Sequence, residues 1–444
     1  MGLTTFARQL SAAFFKRPKL VIGLIFFFSL LLIIIHYQLT GFSIYSDGIG
    51  YYVYDRSIVI DHDLNFSNEY AYYENSYSRI SNMSRGDIFR SMGVTKTGLV
   101  QNFYSIGVAI LQLPFFLAAH LVTLLLAGLG VPLAADGYSI LYELFVAIGM
   151  LLYAFIGSLA VFKFLSRFYS QDTSLLATLT LVLSTGLIWY MAVEPTMSHG
   201  AAFFIIALFV CLWYSTLENR SIAQWVLLGL IGGLAVLIRQ VDGIFLLLIA
   251  FEAIPKLFSY YKARQWDKIR GYIFGLLAFA AAVFIIFVPQ FLAWKEIYGS
   301  YLYYSYGKAG TVAINGLNKG VGYWTGSSIV PMLFSLKDGL IRMPVIIISI
   351  LCLLFIPNKM KDNKVRYYFA ALCISEILVY SFWSLWNSGY NSRFLISSFP
   401  LLSVGLASGY EAIRKKSGWL LLLSIVSLIA LNLLNVLSML RVGV

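Results

Sequence analysis

Hydrophobic residues run through this chain in stretches long enough to cross a bilayer, divided by short polar or basic links rather than by the period-two alternation of a half-buried strand. The apolar runs lie near 20-39, 102-129, 138-165, 173-193, 199-216, 222-239, 242-256, 271-293, 343-357, 367-386, 394-411 and 418-440. A helix needs about 20 such residues to cover the ~30 Å hydrocarbon layer. The pattern therefore predicts an all-α polytopic membrane protein, with residues 1-444 forming a single membrane domain. No internal repeat is visible, which weakens a transporter built from inverted halves. The first run follows Arg8, Lys16, Arg17 and Lys19 and leads into His36-Tyr37-Gln38 with no small-residue cleavage site, so it reads as a retained helix with a cytoplasmic basic end.

The basic links then decide which runs cross. If all twelve span, Lys163, Arg167 and the stretch Lys256 to Arg270 fall outside, against the cytoplasmic bias of Lys and Arg. Laying the single run 102-129 along the outer face returns 163-167, Arg220, 256-270, Lys359 to Arg366 and Arg414-Lys415-Lys416 to the cytoplasm. That run has Pro114 in its middle and ends in Gly128-Leu129-Gly130-Val131-Pro132, which favours one or two helices resting in the interface. The expected architecture is about eleven transmembrane helices, N-terminus inside and C-terminus outside. It carries a first external loop over 41-137, with interfacial helices, and a second over 294-342. The 242-256 run is short and holds Glu252, so a bent or partial crossing is the alternative there.

Composition narrows the class. Hydrophobic residues make up 60% and charged residues 12%, about half the share in soluble domains. The 16% aromatic content, with 30 Tyr and 9 Trp, fits interfacial belts and ring surfaces for a sugar or prenyl chain. A net charge of +12 is scattered over short links and forms no stripe, so no nucleic acid partner is expected. Cys211, Cys352 and Cys373 all sit in apolar runs, which indicates neither a disulfide framework nor a zinc site.

Polar chemistry collects in the first external loop, which opens with Ser46-Asp47-Gly48-Ile49-Gly50-Tyr51-Tyr52 directly after the first helix and continues through Asp61-His62-Asp63-Leu64-Asn65-Phe66. Asn102-Phe103-Tyr104-Ser105-Ile106-Gly107 then leads into Leu113-Pro114-Phe115-Phe116. Further on come Glu194-Pro195-Thr196-Met197-Ser198-His199, Gly233-Leu234-Ala235-Val236-Leu237-Ile238-Arg239 and Trp386-Asn387-Ser388-Gly389-Tyr390-Asn391-Ser392-Arg393-Phe394. In this order and on one side, the elements resemble GT-C type integral membrane glycosyltransferases, the group of the protein mannosyltransferases, the aminoarabinose transferase and the core galacturonosyltransferases. The chain departs from that pattern at Gly48, where many members carry Glu, and at Gln240-Val241-Asp242, where Pro-Thr-Asn is common.

The resemblance implies transfer of a sugar from a polyprenyl-phosphate carrier to a glycan or lipid-linked acceptor of O-antigen or lipopolysaccharide type. The setting it implies is the periplasmic face of a bacterial inner membrane. Such a reaction needs a base for the acceptor proton and cations for the phosphate leaving group. Asp47 is the base candidate, and one inverting attack needs no second carboxylate. Its alternative role is a helix cap. Arg393 and Arg239, then Lys96 and Lys337, are the phosphate-binding candidates, with interfacial snorkelling as their alternative. Asp61, Asp63, Tyr104, Glu194 and His199 are candidates for binding the acceptor or organising the loops, and Asp61 and Asp63 also read as solvated turn residues. A divalent cation stays open at Asp61 and Asp63 or at Glu194 and His199, but one His and one carboxylate make no convincing ligand set, so no metal ligands are assigned. The absence of a Gly-rich phosphate loop argues against a nucleotide-sugar donor. The rival functions are a flippase or transporter of a lipid-linked saccharide, with charges near the bilayer midplane, and a polysaccharide polymerase or ligase.

The topology is checked with fused reporters. One placed after Ala135 should report the outside and one after Ser170 the inside; the opposite pair of results would overturn the assignment.

Overall fold

The computed structural model describes residues 16-78, 93-305, 328-335, 340-357, 359-360, 362-383 and 393-442. Lys337 and residues 386-392 of the last motif lie outside the described residues. The described chain is a helical bundle. Its elements are α1 (Pro18–Thr40), α2 (Asp47–Arg56), α3 (Ser67–Ser78), α4 (Gly107–Gly128), α5 (Ile140–Leu165), α6 (Gln171–Leu183), α7 (Leu187–Ala192), α8 (Ser198–Ser215) and α9 (Ile222–Ile238). They continue with α10 (Leu247–Lys262), α11 (Trp266–Tyr298), α12 (Ile329–Phe334), α13 (Pro344–Phe355), α14 (Lys364–Ser381), α15 (Phe399–Lys416) and α16 (Gly418–Val442). Among the described residues six helices, α1, α4, α5, α8, α11 and α16, are long and apolar enough to cross a membrane, and α9 and α13 are shorter apolar helices. The chain is thus an all-α, multi-pass membrane protein.

Helix ends follow local chemistry. Pro18 opens α1 in the first turn, where its missing N–H costs nothing, and Gly41 closes it at φ 77° with its N–H on the Tyr37 carbonyl at 2.7 Å. Ser221 caps α9 in a reciprocal capping box with Gln224. The 102-129 run becomes one unbroken helix, α4, that starts only at Gly107 and by length and composition qualifies as a crossing helix. It lies antiparallel to the first half of α5. The Phe115 ring fills the space beside Gly149, Phe116 meets Tyr142 at 5.0 Å, and His120 Nδ1 is 2.6 Å from the Tyr142 hydroxyl.

Two expected spans are interrupted. The 173-193 run breaks between α6 and α7, where the hydroxyls of Ser184 and Thr185 bond back to the Thr180 and Leu181 carbonyls at 2.6 Å. Asn432 of α16 then donates to the carbonyls of Leu183 and Thr185, satisfying the broken ladder inside the bundle. The 242-256 run starts as a 3-10 turn, Gln240–Leu246, before α10, so it is bent. Glu252 is buried on it because Arg220 and Lys256 pair with it at 3.2 and 2.9 Å.

The bundle has two chemically distinct ends. The α5 end meets the α8 end through Phe164 and Tyr214, Arg220 and Glu252 join the α8-α9 link to α10, and Arg414 at the end of α15 bonds Asp172 at the start of α6. The basic links that charge alone places on one side therefore gather at one end. At the other end the start of α8 and the end of α9 both reach the 3-10 turn Arg393–Ser398: the His199 ring faces the Phe394 ring, and Arg239 bonds the Phe394 carbonyl.

Close helix approach depends on glycine. A Cβ on Gly405 of α15 would lie 2.1 Å from the Ser349 carbonyl oxygen of α13, and one on Gly229 of α9 would lie 2.4 Å from the Phe279 carbonyl oxygen of α11. Gly405→Val should cost about 1–3 kcal/mol or more of stability through overpacking. Gly23→Ala, where nothing stands within 4 Å, should be neutral. Thermal unfolding of the detergent-solubilised variants measures both, and a neutral Gly405→Val would contradict the close packing.

Candidate functional site

Asp47 is positioned by a short strap between α1 and α2. The Ser43 N–H donates to Glu143 Oε2 of α5 at 2.6 Å, and the Tyr45 hydroxyl donates to the Val193 carbonyl after α7. Ser46 then adopts φ 56° and ψ −136°, a conformation rare for a residue with a side chain. The chain turns sharply there into the first residue of α2. Gly48 and Gly50 let the turn sit deep: a Cβ on Gly48 would be 2.5 Å from Thr196 Oγ1, and one on Gly50 would enter the Tyr104 ring. Asn102 fastens the same turn by donating from Nδ2 to the Gly50 carbonyl at 2.8 Å while its Oδ1 accepts from the Tyr104 N–H at 3.1 Å.

Both Asp47 oxygens are engaged. The Tyr104 hydroxyl donates to Oδ1 at 2.8 Å, and Arg393 Nη1 stands 3.3 Å from Oδ2. The carboxylate is 31% exposed while the Arg393 side chain is only 11% exposed, so the acid lies at the mouth and the cation below it. Burial pulls the Arg393 pKa down, but Asp47, with Tyr190, Glu194 and Tyr104 around it, more than offsets this and holds the guanidinium charged. His199 is buried at the start of α8, its ring 4.3 Å from that of Tyr190 and edge-on to Phe394. The structure thus brings together Asp47, Tyr104, Arg393, Glu194 and His199 from segments that are far apart in sequence.

Arg239 belongs to the layer behind. As the residue that ends α9, it donates from Nη1 to Ser397 Oγ at 2.9 Å and from Nη2 to the Tyr380 hydroxyl at 2.5 Å and the Phe394 carbonyl at 2.9 Å. Ser397 in turn donates a hydrogen bond from its hydroxyl to Asp242 Oδ2 at 2.9 Å, and Ser398 donates to Glu376. These bonds grip the turn Arg393–Ser398 from α9, the 240-246 turn and α14. They set the height at which Arg393 meets Asp47.

Other candidates sit elsewhere. Asp61 pairs with Arg56 and accepts from Asn68 at 2.7 Å, and Asp63 accepts from Ser57 and from the Asn65 N–H at 2.7 and 3.0 Å. Both lie past the far end of α2, about 15 Å of helix from Asp47. Lys96 is exposed and its stem packs on Gly299 at the end of α11. Among the described residues no group of three or more His, Cys, Asp or Glu side chains is placed to hold a metal ion.

Reading the sequence passed over Arg56, the centre of the loop's own ion cluster. It pairs with Glu69 at 2.7 Å, donates to the Asp136 carbonyl at 2.9 Å and lies 4.2 Å over the Tyr138 ring. Burial pushes Glu69 up to about 7 despite Arg56. The Arg239 network also went unread: Ser397 and Glu376 join Arg239 and Asp242 only in three dimensions and carry no spacing signal.

Ser397→Ala removes the hydroxyl that joins Arg239 to Asp242 and should cost about 1–3 kcal/mol by leaving buried groups unbonded. Asp63→Asn, in the outer turn, should cost less than about 1 kcal/mol. Thermal unfolding of the two variants decides, and equal stability losses would contradict the grip.

No protein-family model matches this chain, and no curated protein matches it.

Proposed function

We propose that the protein is a glycosyltransferase that takes a sugar from a polyprenyl-phosphate carrier and passes it to a glycan or lipid-linked acceptor, inverting the anomeric centre. The observation that carries this reading is a half-open carboxylate paired with an enclosed guanidinium at the end of the bundle away from the basic links. With those links in the cytoplasm, this end faces the outer side, which in a bacterial inner membrane is the periplasm. A lipid-borne donor and a water-borne acceptor meet at such a boundary.

The acceptor hydroxyl loses its proton to Asp47 as its oxygen attacks the anomeric carbon. The bond from that carbon to the phosphate oxygen breaks, and its electron pair leaves on the polyprenyl phosphate, whose charge Arg393 stabilises. Tyr104 orients the base. Glu194 stands at the same end and would order the acceptor, buried His199 packs the loop beneath it, and Arg239 holds the Arg393 turn from behind. The O-antigen or lipopolysaccharide type of acceptor rests on the motif resemblance.

Membranes carrying the wild type or Asp47→Asn at matched expression should be assayed for transfer of labelled sugar from a polyprenyl-phosphate pool to envelope glycan. Asp47→Asn should lose at least about 100-fold in rate, and Arg393→Gln should lose about 2–4 kcal/mol of transition-state stabilisation. Transfer retained by folded Asp47→Asn would remove Asp47 as the base. No transfer by the wild type would favour a flippase.

A further inference from the structure

Arg393 is an enclosed cation, and a guanidinium taken out of water is strongly disfavoured unless an anion faces it. In this structure Asp47 faces it at 3.3 Å, and Glu194 adds to the stabilisation of its charge. The other Asp47 oxygen accepts from Tyr104. A carboxylate engaged at both oxygens offers few lone pairs to an incoming hydroxyl. Letting go of Arg393 would take from the enclosed cation the carboxylate that does most to hold it charged.

We propose that Asp47 is an anionic stand-in for the donor phosphate. The lipid phosphate displaces the carboxylate from Arg393, occupies the guanidinium's two-pronged face and releases Asp47 Oδ2 to take the acceptor proton. No covalent bond changes in this exchange: one anion replaces another on the same cation. Asp47, nearly a third exposed, swings toward the mouth while Tyr104 keeps hold of Oδ1. The base is therefore withheld until a phosphate is seated, which makes donor binding precede acceptor activation. When the polyprenyl phosphate departs, the carboxylate closes on Arg393 again.

The inference rests on the transferase reading, and its test separates the two. Full-length protein in nanodiscs is titrated with polyprenyl phosphate and with the uncharged polyprenol, using the wild type, Asp47→Asn, Asp47→Ala, Arg393→Gln and the Asp47→Asn/Arg393→Gln double variant. Each is first shown to be folded by gel filtration and thermal unfolding. Removing the competing charge should tighten polyprenyl phosphate about fivefold or more and leave polyprenol unchanged. The gain should vanish in the Arg393→Gln background, where there is no cation left for Asp47 to occupy. Asp47→Ala repeats the test should Asn misfold. Unchanged or weaker phosphate binding by the Asp47 variants, or equal tightening of polyprenol, overturns the exchange. A wild type that binds no polyprenyl phosphate sinks the exchange and the transferase reading together.

Discussion

A guanidinium buried at the end of α9 must have its donors satisfied, and Arg239 meets that demand with Ser397, the Tyr380 hydroxyl and the Phe394 carbonyl. The same demand draws in Asp242 and Glu376 through Ser397 and Ser398. Two segments distant in sequence, the end of α9 with the 240-246 turn and α14, are thereby locked to one short turn. That turn begins with Arg393, so the most buried charge network of this end also sets the position of the most consequential cation. Asp47 is held from the opposite direction by the strap from α1 and by Asn102 and Tyr104. The site is the place where two independently anchored pieces meet.

Glycine supplies the remaining precision. Gly48 and Gly50 bring the α2 turn against Thr196 and the Tyr104 ring, and Gly107 lets the start of α4 lie against the backbone of Leu237 and Ile238. A side chain at any of these would push a catalytic candidate outward. Local packing therefore governs the chemistry as much as the charges do.

Much of this was legible in the residues alone, and for identifiable reasons. Run length and the bias of Lys and Arg are one-dimensional signals, so the all-helical class and the gathering of basic links at one end follow from them. Asp47, Tyr104, Arg393, Glu194 and His199 were nominated from short motifs and do converge. The bend at 240-246 was foreshadowed by the short 242-256 run and its Glu252, whereas the break at Ser184-Thr185 was hidden, because the Asn from α16 that satisfies its carbonyls leaves no mark in an apolar run. Arg239 was nominated for a phosphate, yet the bonds described here run to protein groups. Nothing in its local sequence reveals Ser397 or Tyr380 as partners. Asp61 and Asp63 drew attention by their spacing, but that spacing serves the turn itself and the Arg56 pair.

The most direct test of the account is an experimental structure of the protein in a lipid nanodisc with polyprenyl phosphate bound. The phosphate should sit on the Arg393 guanidinium, with the Asp47 carboxylate turned toward the mouth and Arg239 still bonded to Ser397. A phosphate seated at the opposite end, among Lys256, Lys262 and Arg270, with the Asp47–Arg393 pair intact, would contradict it.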